Sequence, residues 1–174
     1  MKRLARVQAP GGQAAKFSRF HTDADVPLPY RDDPRFRSLA LDPAVAGMIT
    51  VQGRREAIAG LEAEQQGLIK APIERGPARI EFYDGDGIPY DVKTPPSPLP
   101  NARWPFNARK AGRAIATQLR QRFPNKITGE AEFVRVILDS SYLNTSDHRA
   151  LWHYLNAHAT DEELSRIIEV NTRI

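Results

Sequence analysis

The sequence predicts an α/β (α+β) fold, a small mixed sheet with flanking helices. Three observations support it. Apolar residues recur at helical spacing within 54–66, an alternating hairpin spans 78–94, and a mostly apolar strand at 133–138 follows a second amphipathic helix. Taken in order, residues 1–35 hold Gly11, Gly12 and three prolines between Val26 and Pro34 with no sustained period, which reads as an N-terminal arm or linker ahead of a domain at 36–174. A short apolar run at 42–49 suits a helical turn or two. In the helix at 54–66, Ala57, Ile58, Leu61 and Gln65 share a face, and Gly67 supplies a left-handed stop. Residues 68–73 suit a short strand interrupted by Pro72. The alternating segment 78–84 then turns at Gly85-Asp86-Gly87 and returns over 88–94. Pro95, Pro96, Pro98 and Pro100 form a stiff loop. Asn107 caps a helix running to about Phe123, with Ala108, Ala111, Ile115, Leu119 and Phe123 on its apolar face. After the strand at 133–138, two helices close the chain. One begins near Ser146 with Leu151, Tyr154 and Leu155 inward; the other is capped by Thr160, with Glu163 completing a capping box.

The chain has 174 residues, 41% of them hydrophobic and 26% charged, enough for one core in one domain. No run approaches the length of a membrane span, and the basic start Met1-Lys2-Arg3 leads into no apolar segment, so neither a signal peptide nor an anchor is expected. Without cysteine, a disulfide framework, a thiol nucleophile and thiolate metal sites are excluded, leaving oxygen and imidazole as metal donors. His21, His148, His153 and His158 lack metalloprotease spacing, which disfavours zinc. Ser140-Ser141 follows a strand, but neither a G-x-S-x-G elbow nor a phosphate-binding glycine loop is present. A net charge of +4 and a pI near 9.6 favour a polyanionic partner without specifying one.

The hairpin concentrates acids: Glu81, Asp84, Asp86 and Asp91, with Lys93 two residues beyond. Residues two apart on a strand share a face, so Asp91 and Lys93 project side by side. A three-residue turn at 85–87 sets Asp84 opposite Ile88 and Glu81 opposite Asp91. Opposed carboxylates repel unless a cation lies between them. A divalent metal on such oxygens can position water and neutralise a phosphate, while a lysine steadies the developing oxyanion. Asp86 beside glycine reads as turn chemistry, and Asp84 is open between turn and site.

The pair Asp91-Val92-Lys93, with an acid on the partner strand and a glutamate-bearing helix before it, resembles the PD-(D/E)XK nuclease superfamily, the fold of restriction endonucleases. The ordered set Arg55-Glu56-Ala57, Gly60-Leu61, Glu64, Gly67, Pro72-Ile73, Arg75, Glu81-Phe82-Tyr83-Asp84 and Tyr90-Asp91-Val92-Lys93 is similar to the restriction-endonuclease-like toxin domains of bacterial polymorphic and contact-dependent growth inhibition toxins, over roughly residues 45–155. The resemblance implies an αβββαβ core followed by C-terminal helices, and a metal-dependent nuclease, a hydrolase of phosphodiester bonds in DNA or RNA. Its catalytic set is Glu56, Glu81, Asp84, Asp91 and Lys93, with Mg2+ or Mn2+ on Glu56, Glu81 and Asp91. The superfamily usually has aspartate on the preceding strand, so that acid is Glu81 by hairpin geometry or Asp84 by residue type; Glu64 is the alternative to Glu56. A cognate immunity protein is the implied partner, and the implied place of action is the cytoplasm, reached by secretion or delivery within a larger toxin.

Arg109, Lys110 and Arg113, with Arg120 and Arg122, give the second helix a basic side suited to phosphate contacts. Trp104 and Phe106 can stack on an unpaired base or bury against the sheet. A catalytically silent nucleic-acid-binding or assembly module of the same fold is the competing function.

Overall fold

The computed structural model describes residues 17–172 and 174. A 3-10 turn at Asp23–Asp25 precedes helices α1 (Leu28–Arg31) and α2 (Phe36–Ala40), and a ribbon of β1 (Leu41–Asp42) and β2 (Met48–Ile49) leads into α3 (Val51–Gln65). Strands β3 (Glu74–Arg75), β4 (Phe82–Tyr83) and β5 (Pro89–Lys93) follow, then α4 (Ala108–Leu119), the hairpin β6 (Arg122–Pro124) and β7 (Ala131–Phe133), and β8 (Arg135–Asp139). Helices α5 (Thr145–His158) and α6 (Asp161–Ser165) lead into β9 (Ile167–Val170). The fold is mixed α+β, with a five-stranded sheet in the order β3-β4-β5-β8-β9. Its first three strands are antiparallel; β5, β8 and β9 run parallel, joined by crossovers through α4 and α5. None of the described helices is long and apolar enough to cross a membrane.

The sheet is covered on both faces. Ala57, Ile58 and Leu61 of α3 meet Phe82, Tyr90, Val92 and Ile137 on one side. Ile115 and Leu119 of α4, with Leu151, Trp152 and Leu155 of α5, meet Val136, Leu138 and Ile167 on the other. Alternation along β5 therefore puts Tyr90 and Val92 under α3 and turns Asp91 and Lys93 toward α4. Their neighbours on β8 are Val136 and Leu138.

Local chemistry sets the boundaries. Thr50 caps α3 by accepting from the Gly53 amide at 3.0 Å, and Asn107 caps α4 through the Lys110 amide at 2.9 Å. The Thr160–Glu163 capping box forms in both directions. Gly60 is the seat of α3 on the sheet: a Cβ there would lie 2.6 Å from the Phe82 ring. The absent side chain lets the helix axis come down onto β4.

Four sequence expectations are corrected. Residues 17–35 are not an arm: Phe20, Val26 and Tyr30 are buried in the α3-side core, and the Tyr30 hydroxyl donates to Glu62 at 2.9 Å. Residues 1–16 lie outside the described residues. The second helix stops at Leu119, and Phe123 belongs to β6, where it pairs with Glu132. Pro124 forbids helical continuation there. The apolar run at 42–49 makes the β1–β2 ribbon around a 3-10 turn. The chain also continues past α6 into β9, which the sequence reading had not separated from a terminal helix.

Phe20→Ala should lower unfolding free energy by about 3 to 5 kcal/mol, the cost of emptying a closed aromatic site. Urea denaturation measures it; a change under about 0.5 kcal/mol would return the segment to the status of an arm.

Candidate functional site

The turn at 85–87 fixes the register that assembles the site. Gly87 adopts a φ of +77°, and Gly85 passes so near the Ala71 carbonyl that a Cβ would lie 2.2 Å from its oxygen. Phe82 then pairs with Tyr90, and the Glu81 amide, just ahead of β4, donates to the Tyr90 carbonyl at 2.9 Å, which holds Glu81 against the strand that carries Asp91. Glu56 comes from the other side, one turn before Gly60 on the helix seated over Phe82. Glu56, Glu81 and Asp91, from α3, the β4 approach and β5, line one cleft of about 460 Å³ with Asp42, Gln52 and Arg75. Gln118 of α4 and Gln121, just past the end of that helix, line its far side.

Each acid has its own partner. Lys93 Nζ lies 2.7 Å from Asp91 Oδ2; Gln52 Nε2 donates to Glu56 Oε1 at 2.7 Å; and Arg75 is ion-paired with Glu81, with Asp42 at 4.0 Å. Burial pushes the Asp91 carboxyl above its ordinary 3.8, against the pull of Lys93. Burial likewise pushes Glu56 above 4.5, opposed by the Gln52 hydrogen bond and by the charges of Arg75 and Lys93. Burial in turn lowers the proton affinity of the Arg75 guanidinium. Desolvation dominates in all three groups.

The donor set suits a hard divalent cation: three carboxylates facing one cleft, including the buried Asp91 Oδ2, which lacks a hydrogen bond of good geometry. Among the described residues no three acidic or imidazole side chains converge as a ready metal cluster. The arginine, the lysine and the glutamine occupy the oxygens that would have to turn inward.

The remaining sequence candidates lie elsewhere. Asp84 is a turn residue: its Oδ1 accepts from the amides of Asp86 and Ile88 at 2.9 and 3.0 Å, and its Oδ2 from the Tyr90 hydroxyl at 3.0 Å. That leaves its carboxylate committed to the hairpin and outside the cleft lining. Glu64 is held by Arg35 at 2.6 and 2.9 Å and by the Ile73 amide at 2.7 Å. Arg109, Lys110 and Arg113 line a separate depression with Asn107. Arg120 is bound to Glu163, and Arg122 lies over Phe133. Trp104, open between stacking and burial, is 70% exposed with the Arg103 guanidinium 5.1 Å from its ring centroid. His148 is buried against Glu169 at 2.9 Å. Sequence reasoning did not single out Asp42, Gln52 or Gln118. For Gln52 a signal was present, four residues before Glu56 on the same helical face.

Comparison with known protein families, with curated proteins and with solved structures returns no match for this chain.

The raised proton affinity of Asp91 has a signed consequence. The folded chain keeps this proton where the unfolded chain has lost it, so the group costs stability as pH rises above 3.8 through its raised value. In EDTA, the stability of Asp91→Asn relative to wild type should therefore climb with pH and reach at least the wild-type value at neutrality. Paired thermal melts across that range decide it. A variant that loses ground toward neutrality would make Asp91 a stabilising ion-pair partner instead.

Proposed function

We propose that this protein is a metal-dependent nuclease that hydrolyses phosphodiester bonds of DNA or RNA. One observation supports the reading above others: Glu56, Glu81 and Asp91 line a single cleft, and Lys93 stands beside Asp91 on the same strand face. Mg2+ or Mn2+ bound among these oxygens would supply Lewis-acid polarisation of the phosphate and of a water. Lys93 exchanges its pairing with Asp91 for a phosphate oxygen and offsets the charge that grows there. Glu56, held by Gln52 at the rim of the same cleft, would complete the metal's oxygen donors, and the attacking water would give up its proton to bulk solvent. The new bond forms between the water oxygen and phosphorus, and the bridging ester oxygen leaves with its electron pair and is protonated by solvent. Arg75 holds Glu81 in orientation and adds positive charge beside the phosphate.

The resemblance of the 45–155 segment to contact-dependent inhibition toxins extends the proposal to an antibacterial toxin. It would act in the cytoplasm of a competitor, be delivered within a larger protein, and be neutralised by a cognate immunity protein. Arg109, Lys110 and Arg113 then serve as phosphate contacts outside the cleft. A silent nucleic-acid-binding module is the second reading, favoured by the commitment of Glu81 to Arg75 and of Asp91 to Lys93.

Purified protein should cleave plasmid DNA or total RNA with Mg2+ or Mn2+ and not with EDTA. Lys93→Ala should abolish that cleavage while leaving the fold intact, with a lower melting temperature because Asp91 loses its ion-pair partner. Wild-type cleavage by a folded Lys93→Ala protein contradicts the assignment, and binding without cleavage by the wild type selects the silent module.

A further inference from the structure

The acid cleft is one end of a longer groove. Beyond Lys93 a second depression of about 250 Å³ is lined mainly by Phe17, Lys93, Thr94, Pro95, Ala111 and Ala114. The two share Gln52, and neighbouring residues divide between them: Glu56 faces the acid end and Arg55 the apolar end. Along α4, Ala111 and Ala114 border the apolar end, and Gln118, seven residues on from Ala111, borders the acid end together with Gln121 just past the helix end. That spacing is one helical stripe, so a single helix wall runs the length of the groove. Its floor is the face of β5 carrying Asp91 and Lys93, whose Cα atoms are about 6.6 Å apart at two strand residues.

The apolar end is built. The Arg55 guanidinium lies over the Phe17 ring, 3.6 Å from its centroid, and donates to the Phe17 carbonyl at 2.7 Å. Its Nε also reaches Thr94 Oγ1 at 3.4 Å. The ring and the proline loop are thereby tied to α3. The opposite wall is methyl groups on an open helix surface, which keep the space clear. At roughly 30 Å³ per water the depression holds about eight waters, the size of one heterocyclic base and too small for a base pair. Such a surface gains from desolvating a flat apolar ring, and it lies directly beside a lysine suited to the attached phosphate.

Resting on the nuclease reading above, we propose that this end of the groove takes one unstacked base adjoining the phosphate held at Lys93, so that the substrate is single-stranded or looped nucleic acid rather than intact duplex. A base inside a duplex is paired at its edges and stacked on both faces, and cannot enter. With aliphatic walls, the depression reads the presence of a base more than its identity.

The test separates binding from cleavage. Fluorescein-labelled unstructured DNA and RNA of about 12 nucleotides, and a duplex of equal length, all with non-hydrolysable phosphorothioate backbones, are titrated with the full chain in Ca2+ and followed by anisotropy. Wild type should bind a single strand at least about tenfold more tightly than the duplex. Ala114→Leu and Ala111→Leu, which fill the depression from a helix that favours leucine, should lose about tenfold on the single strand, the worth of one stacked base. They should leave duplex binding unchanged. Replacing one nucleotide at a time by an abasic residue should weaken wild-type binding at one position and leave the leucine variants indifferent there. Equal affinity for duplex, no binding to either probe, or wild-type single-strand binding by both folded leucine variants would overturn the proposal. Single-strand preference without cleavage in Mg2+ or Mn2+ would remove the nuclease reading and keep the subsite. Cleavage with no effect of the leucine or abasic changes would do the reverse.

Discussion

The close seating of α3 on the sheet at Gly60 is the constraint on which the rest of the arrangement depends. A methyl group at that position would meet Phe82 at 2.6 Å and Ile73 at 3.0 Å. The helix therefore lies close to the hairpin, and Glu56, one turn earlier, reaches the cleft that Asp91 of β5 also lines. A helix standing off by the width of a side chain would leave Glu56 on a solvated face. The same seating draws Arg55 against Phe17 and Arg54 against Asp23 at 2.9 Å, so it also recruits the N-terminal segment into the domain.

The energetic character of the cleft follows from that proximity. Three carboxylates share a partly desolvated space, and burial outweighs the neighbouring cations in setting the proton affinities of Asp91 and Glu56. The fold tolerates this because each acid has a separate partner: lysine for Asp91, glutamine for Glu56, arginine for Glu81. Such partners are exchangeable. A cation entering among the oxygens would free Lys93 and Arg75 to face a phosphate, which ties metal binding and substrate charge to one rearrangement. The neutral partner, Gln52, sits where the groove passes from acid to apolar lining.

Local rules made much of this legible. Turn chemistry at 85–87 gave the hairpin turn, with Asp84 opposite Ile88, from residue types alone. Thr160 with Glu163 and Asn107 before Ala108 marked helix starts that the backbone adopts. What escaped depends on contacts between distant segments. Phe20, Val26 and Tyr30 are single anchors without a period, and their burial comes from cavities beside α3. Phe123 kept the helical spacing of Ile115 and Leu119, yet its neighbours pair with 131–133 in a separate ribbon. Strand β9 follows a helix of one turn, too short to separate by pattern. Asp84 and Glu81 looked interchangeable as acids. What divides them is their partners: Asp84 accepts from the Asp86 and Ile88 amides of the turn, whereas Glu81 is paired with Arg75 and lines the cleft.

The most direct measurement of the central claim is Mn2+ binding by calorimetry to wild type, Glu56→Gln, Glu81→Gln and Asp91→Asn, with Asp84→Asn as the comparison outside the cleft. A shared site predicts that each of the three cleft substitutions weakens binding by tenfold or more, about 1.4 kcal/mol, and that Asp84→Asn does so only as far as it unsettles the hairpin. Binding that survives all three cleft substitutions, or that fails only in Asp84→Asn, would contradict the assignment of Glu56, Glu81 and Asp91 to one centre.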